Sequence, residues 1–290
     1  MVLTPQARVA LDAARDEMPV HAPGFDIAAS RAQALAMAAA LDREDVAEVR
    51  DVDADGVRCR LYVPEGADAT VVLVHGGGFV FHDVDVYDPC ARALANRAGM
   101  AVLSVDYRRP PEHRFPAAVD DLDTVLAWLA RADLPAPVFV HGDSAGGNLA
   151  LVAALRHPGR FAGVVLVYPF LDPEADYPSY TTEAHGMDAA EGEWYWQQYA
   201  ASPADRTHPD LAPLRSDRLH TLPPTLVITA EHDPLRDEGE RLVGELAGLG
   251  VDVVGTRYLG QLHGFWRHPQ VFPQAEPLVR QIAGFLRLHR

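Results

Sequence analysis

From Val46 onward, short aliphatic runs alternate with longer amphipathic stretches. Thr70 to Val74 is an unbroken β-branched and aliphatic run, as expected of a strand buried on both faces, and Gly163 to Tyr168 reads as a further strand. Met100 to Val105, the run opening at Val138, Leu226 to Thr229 and Val251 to Arg257 read the same way. Between and after them the spacing predicts helices over about Tyr87–Arg97, Pro116–Ala130, Arg236–Leu249 and Val271–Leu288, and another in the Ala/Leu-rich stretch that follows Asn148. This alternation predicts an α/β fold, a mostly parallel sheet covered on both faces. Ahead of it, Ala47–Val52 and Gly56–Val63 flank Asp53-Ala54-Asp55-Gly56, whose Asp-Gly pair signals a hairpin.

Two regions fall outside the alternation. Residues 4–41 read as two amphipathic helices, the first from Pro5 with Thr4 as N-cap, the second Ala-rich from about Ala28 to Leu41. Pro19, Pro23 and Gly24 separate them. On these helices Arg31, Gln33 and Met37 read as scaffold in preference to pocket lining. Between Asp172 and Leu222 the pattern breaks again, with many Tyr, Trp, Pro and charged residues and one helical pattern around Ala190–Tyr199. The expected organisation is a core of residues 46–171 and 223–290, with 1–45 and 172–222 as excursions from it.

Composition narrows the chemistry more than the fold. The formal charge is −16 over 290 residues, against nucleic acid or an anionic membrane as partner. All 25 basic residues are arginine, and the missing lysine removes P-loop, Schiff-base and Ser-Lys chemistries. Cys59 and Cys90 are too few for a disulfide scaffold, lack metal-ligand spacing and read as small apolar residues. Charged residues interrupt the N-terminal apolar run, and no stretch reaches the ~20 apolar residues of a membrane span. The expectation is a soluble cytoplasmic protein without metal or cofactor; monomer and homodimer both stay open.

The candidate chemistry centres on Gly142-Asp143-Ser144-Ala145-Gly146, a G-x-S-x-G placed between a buried strand and a helix. A serine on so tight a turn needs small neighbours, and the following helix offers free N–H groups to a developing oxyanion. A serine hydroxyl needs a base, and the base an orienting acid. Of 13 histidines, His263 is the candidate base, in a glycine-flanked loop after the last predicted strand. His141, inside a strand, reads as packed; His157, His220, His268 and His289 read as helix-end or surface residues. Asp233, after Leu226–Thr229 and before Pro234, is the favoured acid, with Asp237 and Glu231 as competitors. Asp143 reads as structural. Gly76, Gly77 and Gly78 let backbone N–H groups approach a substrate oxygen, so Gly77, Gly78 and Ala145 are the candidate oxyanion donors, with His75 bracing the loop. All of these should converge on one edge of the sheet.

These motifs in this order resemble the hormone-sensitive-lipase-like family of α/β-hydrolases, the bacterial carboxylesterases. His75-Gly76-Gly77-Gly78, Gly-Asp-Ser-Ala-Gly-Gly-Asn, Asp233-Pro234-Leu235 and His263-Gly264-Phe265 carry the resemblance. Tyr107-Arg108, Pro111-Glu112-His113 and Phe115-Pro116-Ala117-Ala118 extend it. It implies a carboxylesterase acting on a small-molecule ester, with Ser144, Asp233 and His263 as triad and a cap built from residues 1–45 and 172–222. Within that cap, the aromatic-rich segment suggests Trp194 and Trp196, with Phe79 from the core, as pocket residues that favour short to medium acyl chains. Amide and lactone substrates share the chemistry. The same fold also serves as a non-catalytic small-molecule receptor, a use that loss of His263 would mark. Two departures stand out: His82 occupies a position where such sequences commonly carry glycine, and Arg109-Pro110 replaces the usual Leu-Ala.

Overall fold

The computed structural model describes residues 2–290. The chain runs through α1 (Pro5–Ala14), α2 (Ile27–Ala39), β1 (Glu48–Ala54), β2 (Val57–Val63), β3 (Thr70–Val74), α3 (Asp88–Ala98), β4 (Ala101–Val105) and α4 (Ala117–Leu129). It continues with β5 (Val138–Asp143), α5 (Ala145–Arg156), β6 (Gly163–Val167), α6 (Ser179–Thr182) and α7 (Ala189–Tyr199). After several 3-10 turns come β7 (Thr225–His232), α8 (Arg236–Gly248), β8 (Val253–Leu262) and α9 (Ala275–Leu288). The eight strands form one sheet ordered β1-β2-β4-β3-β5-β6-β7-β8. β2 pairs antiparallel with β1 and with β4; every pair from β4 across to β8 is parallel. The hairpin turns at Asp55 and Gly56, both at positive φ, with the Asp53 carboxylate accepting the Gly56 N–H.

The parallel strands carry aliphatic side chains on both faces because helices cover both. Leu122 of α4, Leu149 of α5 and Leu242 of α8 pack on one face; Leu94 of α3 and Ile282 and Leu286 of α9 pack on the other. β3, β4 and β6 are buried along their whole length. At ~25 cal/mol per Å² of apolar surface this burial is the main source of stability. Among the described residues no helix is long and apolar enough to cross a membrane.

Two boundaries differ from expectation, and both bear on the site. β8 runs on to Leu262 instead of ending near Arg257, so His263 follows a strand directly. Gly260, at φ +70°, sits in an irregularity of the β7–β8 ladder. Its N–H donates to Glu231 and its carbonyl accepts from the Thr4 N–H, which ties the N-terminal segment to the sheet edge. α9 starts at Ala275, later than Val271; Pro273 disfavours helical conformation in Phe272 before it.

Candidate active site

Ser144 stands between the last residue of β5 and the first of α5, at φ +54° and ψ −125°. Such a conformation costs ~1–3 kcal/mol in a non-glycine residue and persists only where its surroundings enforce it. Here they do: the Ser144 N–H donates to Val167 O at 2.9 Å, and its carbonyl accepts from the Asn148 and Phe170 N–H groups. The glycines are dictated by close approach. A Cβ on Gly146 would lie 2.1 Å from Val74 O, and one on Gly142 would lie 2.1 Å from Gly146 O.

The structure brings the two predicted partners to this serine. His263 Nε2 is 3.0 Å from Ser144 Oγ, and His263 Nδ1 is 2.8 Å from Asp233 Oδ2. Asp233 is fully buried, and its Oδ1 accepts the Leu235 N–H at 2.8 Å. With a carboxylate at Nδ1, that nitrogen carries the proton and Nε2 presents a lone pair to the hydroxyl. Burial pushes the His263 pKa down, but the charge and hydrogen bond of Asp233 push it up by more, so it lies above the usual imidazole value. The competing acids are engaged elsewhere: Glu231 accepts from Gly260, and Asp237 accepts from Ser179 and Arg236.

The glycine run lies beside the elbow. Gly77 (φ +118°) and Gly78 (φ +58°) turn the chain after β3, and the Gly77 carbonyl accepts from Val80 and Phe81. Asp143 fixes the base of this loop, accepting the Gly76 N–H and the Tyr87 hydroxyl. His75 is fully buried and stacks on Tyr107 with ring centroids 4.2 Å apart; the Tyr107 hydroxyl donates to His75 O. Burial, with the charge of Arg109 behind it, takes the His75 pKa down to about 3, so the ring braces the loop as a neutral group. Ala145 opens α5, where the first N–H groups have no partner inside the helix.

A cavity of about 410 Å³ opens over Ser144, within the range of small-molecule sites. Its lining comes from the core (Gly77, Gly78, Phe170, His263), from α1 and α2 (Leu11, Ala34) and from the 172–222 segment (Met187, Glu191, Tyr195). Of the three expected pocket aromatics, none lines it. Phe79 and Trp196 are fully buried behind the wall, where Phe79 stacks on Tyr199 at 3.9 Å. Trp194 packs against Phe25 and Phe81. Successive residues on α7 point about 100° apart, and it is Glu191 and Tyr195, four apart, that share the cavity side. The Tyr195 hydroxyl donates to Glu191, and burial raises the Glu191 pKa. His268, expected at the surface, also lines the cavity, its pKa lowered to about 4 by burial and then by Arg267.

Arg31 is scaffold, as expected: it bonds Val80 O, Pro110 O and Glu112, pinning α2 to the glycine loop's far end. Gln33 and Met37 line an adjoining cavity. Cys59 and Cys90 are buried free thiols. One grouping has metal-ligand spacing that no local sequence pattern announces: Glu183, His185 and His232 offer donor atoms within 4.8 Å of one another. Glu183 already bonds His232 at 2.8 Å and Arg236 at 3.2 Å, which neutralises it without an ion.

Residues 71–267 match the family model described as alpha/beta hydrolase fold. The chain is 36% identical to the carboxylic ester hydrolase LipN of Mycobacterium tuberculosis, covering 91% of this chain and 77% of that protein. It is 31% identical to the ethyl acetate hydrolase of Pseudomonas putida, covering 94% and 92%. A hyperthermophilic esterase from the archaeon Pyrobaculum calidifontis superimposes with a TM-score of 0.90 over 99% of this chain and 98% of its own, at 35% identity.

Proposed function

The chain belongs to the hormone-sensitive-lipase-like carboxylesterases of the α/β-hydrolase fold, and from that we propose that Ser144, His263 and Asp233 cleave short- to medium-chain acyl esters through an acyl-enzyme. The observation that carries this reading is the continuous pair of contacts Ser144 Oγ–His263 Nε2 and His263 Nδ1–Asp233 Oδ2. Ser144 Oγ attacks the carbonyl carbon as its proton passes to Nε2. Backbone N–H groups of Gly77, Gly78 and Ala145 receive the oxyanion. The imidazolium, held by Asp233, returns the proton to the departing alkoxide oxygen. Water then attacks the acyl carbon, gives its proton to Nε2, and the acid leaves as Ser144 regains its hydrogen.

The cavity walls support a limit on acyl length. Residues 1–45 and 172–222 act together as the cap, since both contribute to the lining above Ser144. A bounded cavity favours added methylenes, at ~0.8 kcal/mol each, only until it is full. The triad reading is tested with an organophosphonate, which should label Ser144 alone. Ser144→Ala should lose turnover on the order of a million-fold. Labelling elsewhere, or an active alanine variant, removes it.

A further inference from the structure

Among the described residues, Arg267 is the one arginine that lines the Ser144 cavity. Arg31, Arg108 and Arg156, on other parts of the surface, each bond a carboxylate. Arg267 is half-buried and lines the Ser144 cavity, yet among the described residues no carboxylate oxygen lies within salt-bridge distance of it. Its Nη1 lies 3.2 Å from His82 Nε2 and 3.5 Å from His82 Nδ1, and its guanidinium carbon lies 5.9 Å from the centre of the Tyr87 ring. The nearby acids are otherwise engaged. Asp143 takes the Tyr87 hydroxyl and the Gly76 N–H, and Glu191, from α7, takes Tyr195. Burial opposes the Arg267 charge, while Tyr87 and the Asp143 carboxylate favour it from beyond salt-bridge distance; a guanidinium has five N–H donors, and no carboxylate bonds them directly.

His82 explains how the arginine is held. At φ +66° it pays the strain that glycine would avoid. Three contacts keep it there: Nδ1 lies 3.2 Å from Gly76 O, Nε2 meets Arg267, and Arg109 donates to its carbonyl. Nδ1 therefore carries the hydrogen and Nε2 accepts from Arg267. Burial and the arginine's charge keep the ring neutral, with its pKa well below the usual range. A strained residue at a functional site, anchored to the glycine loop and aligning a charge, is a positioning residue. Arg267, His82, His268, Ser30 and Ala34 line both the Ser144 cavity and a second one of about 360 Å³, so the guanidinium stands at their junction.

We propose that Arg267, aligned by His82, receives a free carboxylate carried by the ester, so that the preferred substrates are anionic esters. The planar fork left open by His82 suits a carboxylate. This rests on the Ser144 acyl-enzyme reading.

The carboxylate can sit on either half of the ester, and two isosteric pairs separate the halves. Ethyl hydrogen glutarate against its ω-amide tests the acyl half; 4-acetoxybenzoate against 4-acetoxybenzamide tests the alcohol half. In wild type, kcat/KM for the acid should exceed that for its amide by about 10- to 100-fold in one pair, the range of hydrogen bonds to a charged group. Arg267→Met should bring that ratio close to one, and Arg267→Lys should keep part of it. No preference in either pair, or a preference that survives Arg267→Met, overturns the proposal. Should the methionine variant fail to fold, wild-type inhibition decides for the half that showed the preference: glutarate against glutaramide, or 4-hydroxybenzoate against 4-hydroxybenzamide, the acid competing with a neutral ester at least about tenfold more tightly than its amide. Equal inhibition counts against the proposal. Ser144→Ala separates the two readings. If the neutral amides turn over in a Ser144-dependent way and the acids are not favoured, only the anion site falls. If turnover survives Ser144→Ala, the acyl-enzyme reading falls.

Discussion

Asp233→Asn tests the relay at its most geometrically determined point. Asp233 Oδ1 accepts the Leu235 N–H at 2.8 Å, and Oδ2 faces His263 Nδ1 at 2.8 Å. An asparagine in this buried slot keeps its carbonyl oxygen on the Leu235 donor, which aims its NH₂ at Nδ1. Two donors then face each other unless the imidazole moves its hydrogen to Nε2. That tautomer points N–H at Ser144 Oγ, 3.0 Å away, where a lone pair is needed. The expected loss in kcat is about 10⁴-fold, from the behaviour of such triads. It corresponds to ~5 kcal/mol of barrier. A second readout follows from charge. In wild type the imidazole pKa is raised because Asp233 outweighs burial, so activity falls as pH drops through a value above ~6.5. Without the carboxylate, burial remains as the largest influence and lowers the pKa, with Arg267 acting the same way and only the Asp143 charge opposing them. The acid limb of the kcat/KM profile should therefore move to lower pH. The assay is an activated ester across pH, with Asp237→Asn alongside; Asp237 bonds Ser179 and Arg236, so that limb should stay in place. Residual activity within tenfold of wild type, or an acid limb that stays or rises, refutes the relay.

Gly78→Ala should lower Tm and cut kcat by at least about a hundredfold, because its Cβ would lie 2.1 Å from the Tyr195 ring at φ +58°. Adding Tyr195→Ala should recover part of the Tm in a melting assay. In an ester series of increasing acyl length, wild-type kcat/KM should rise and then fall, and Tyr195→Ala should move the maximum to longer chains; Trp196→Ala should chiefly lower Tm, since that ring is buried behind the wall. A profile still climbing at the longest soluble chains contradicts the bounded pocket. Exhaustive chelation should leave turnover unchanged, since the proposed relay supplies its own base and oxyanion donors; activity lost and then restored by a divalent ion contradicts this.

The strands were legible because burial on both faces forces continuous aliphatic runs, and Thr70–Val74 appears in the structure with the same ends. The elbow was legible for a related reason: contacts near 2 Å at Gly142 and Gly146 leave no room for a side chain, so the steric demand is written into residue identity. Ser144, Asp233 and His263 each follow a strand, and parallel strands carry such residues to one edge whatever lies between them in sequence. The excursions were visible only as breaks in pattern. Which aromatic of α7 faces the cavity depends on the rotation of that helix against the core, and Trp194, Tyr195 and Trp196 look alike in composition. His82 and Arg267 gave no local signal of their meeting, nor did Glu183, His185 and His232. Contacts between groups far apart in sequence arise from packing, and no periodicity in the chain records them; only the tertiary structure decided what surrounds the triad.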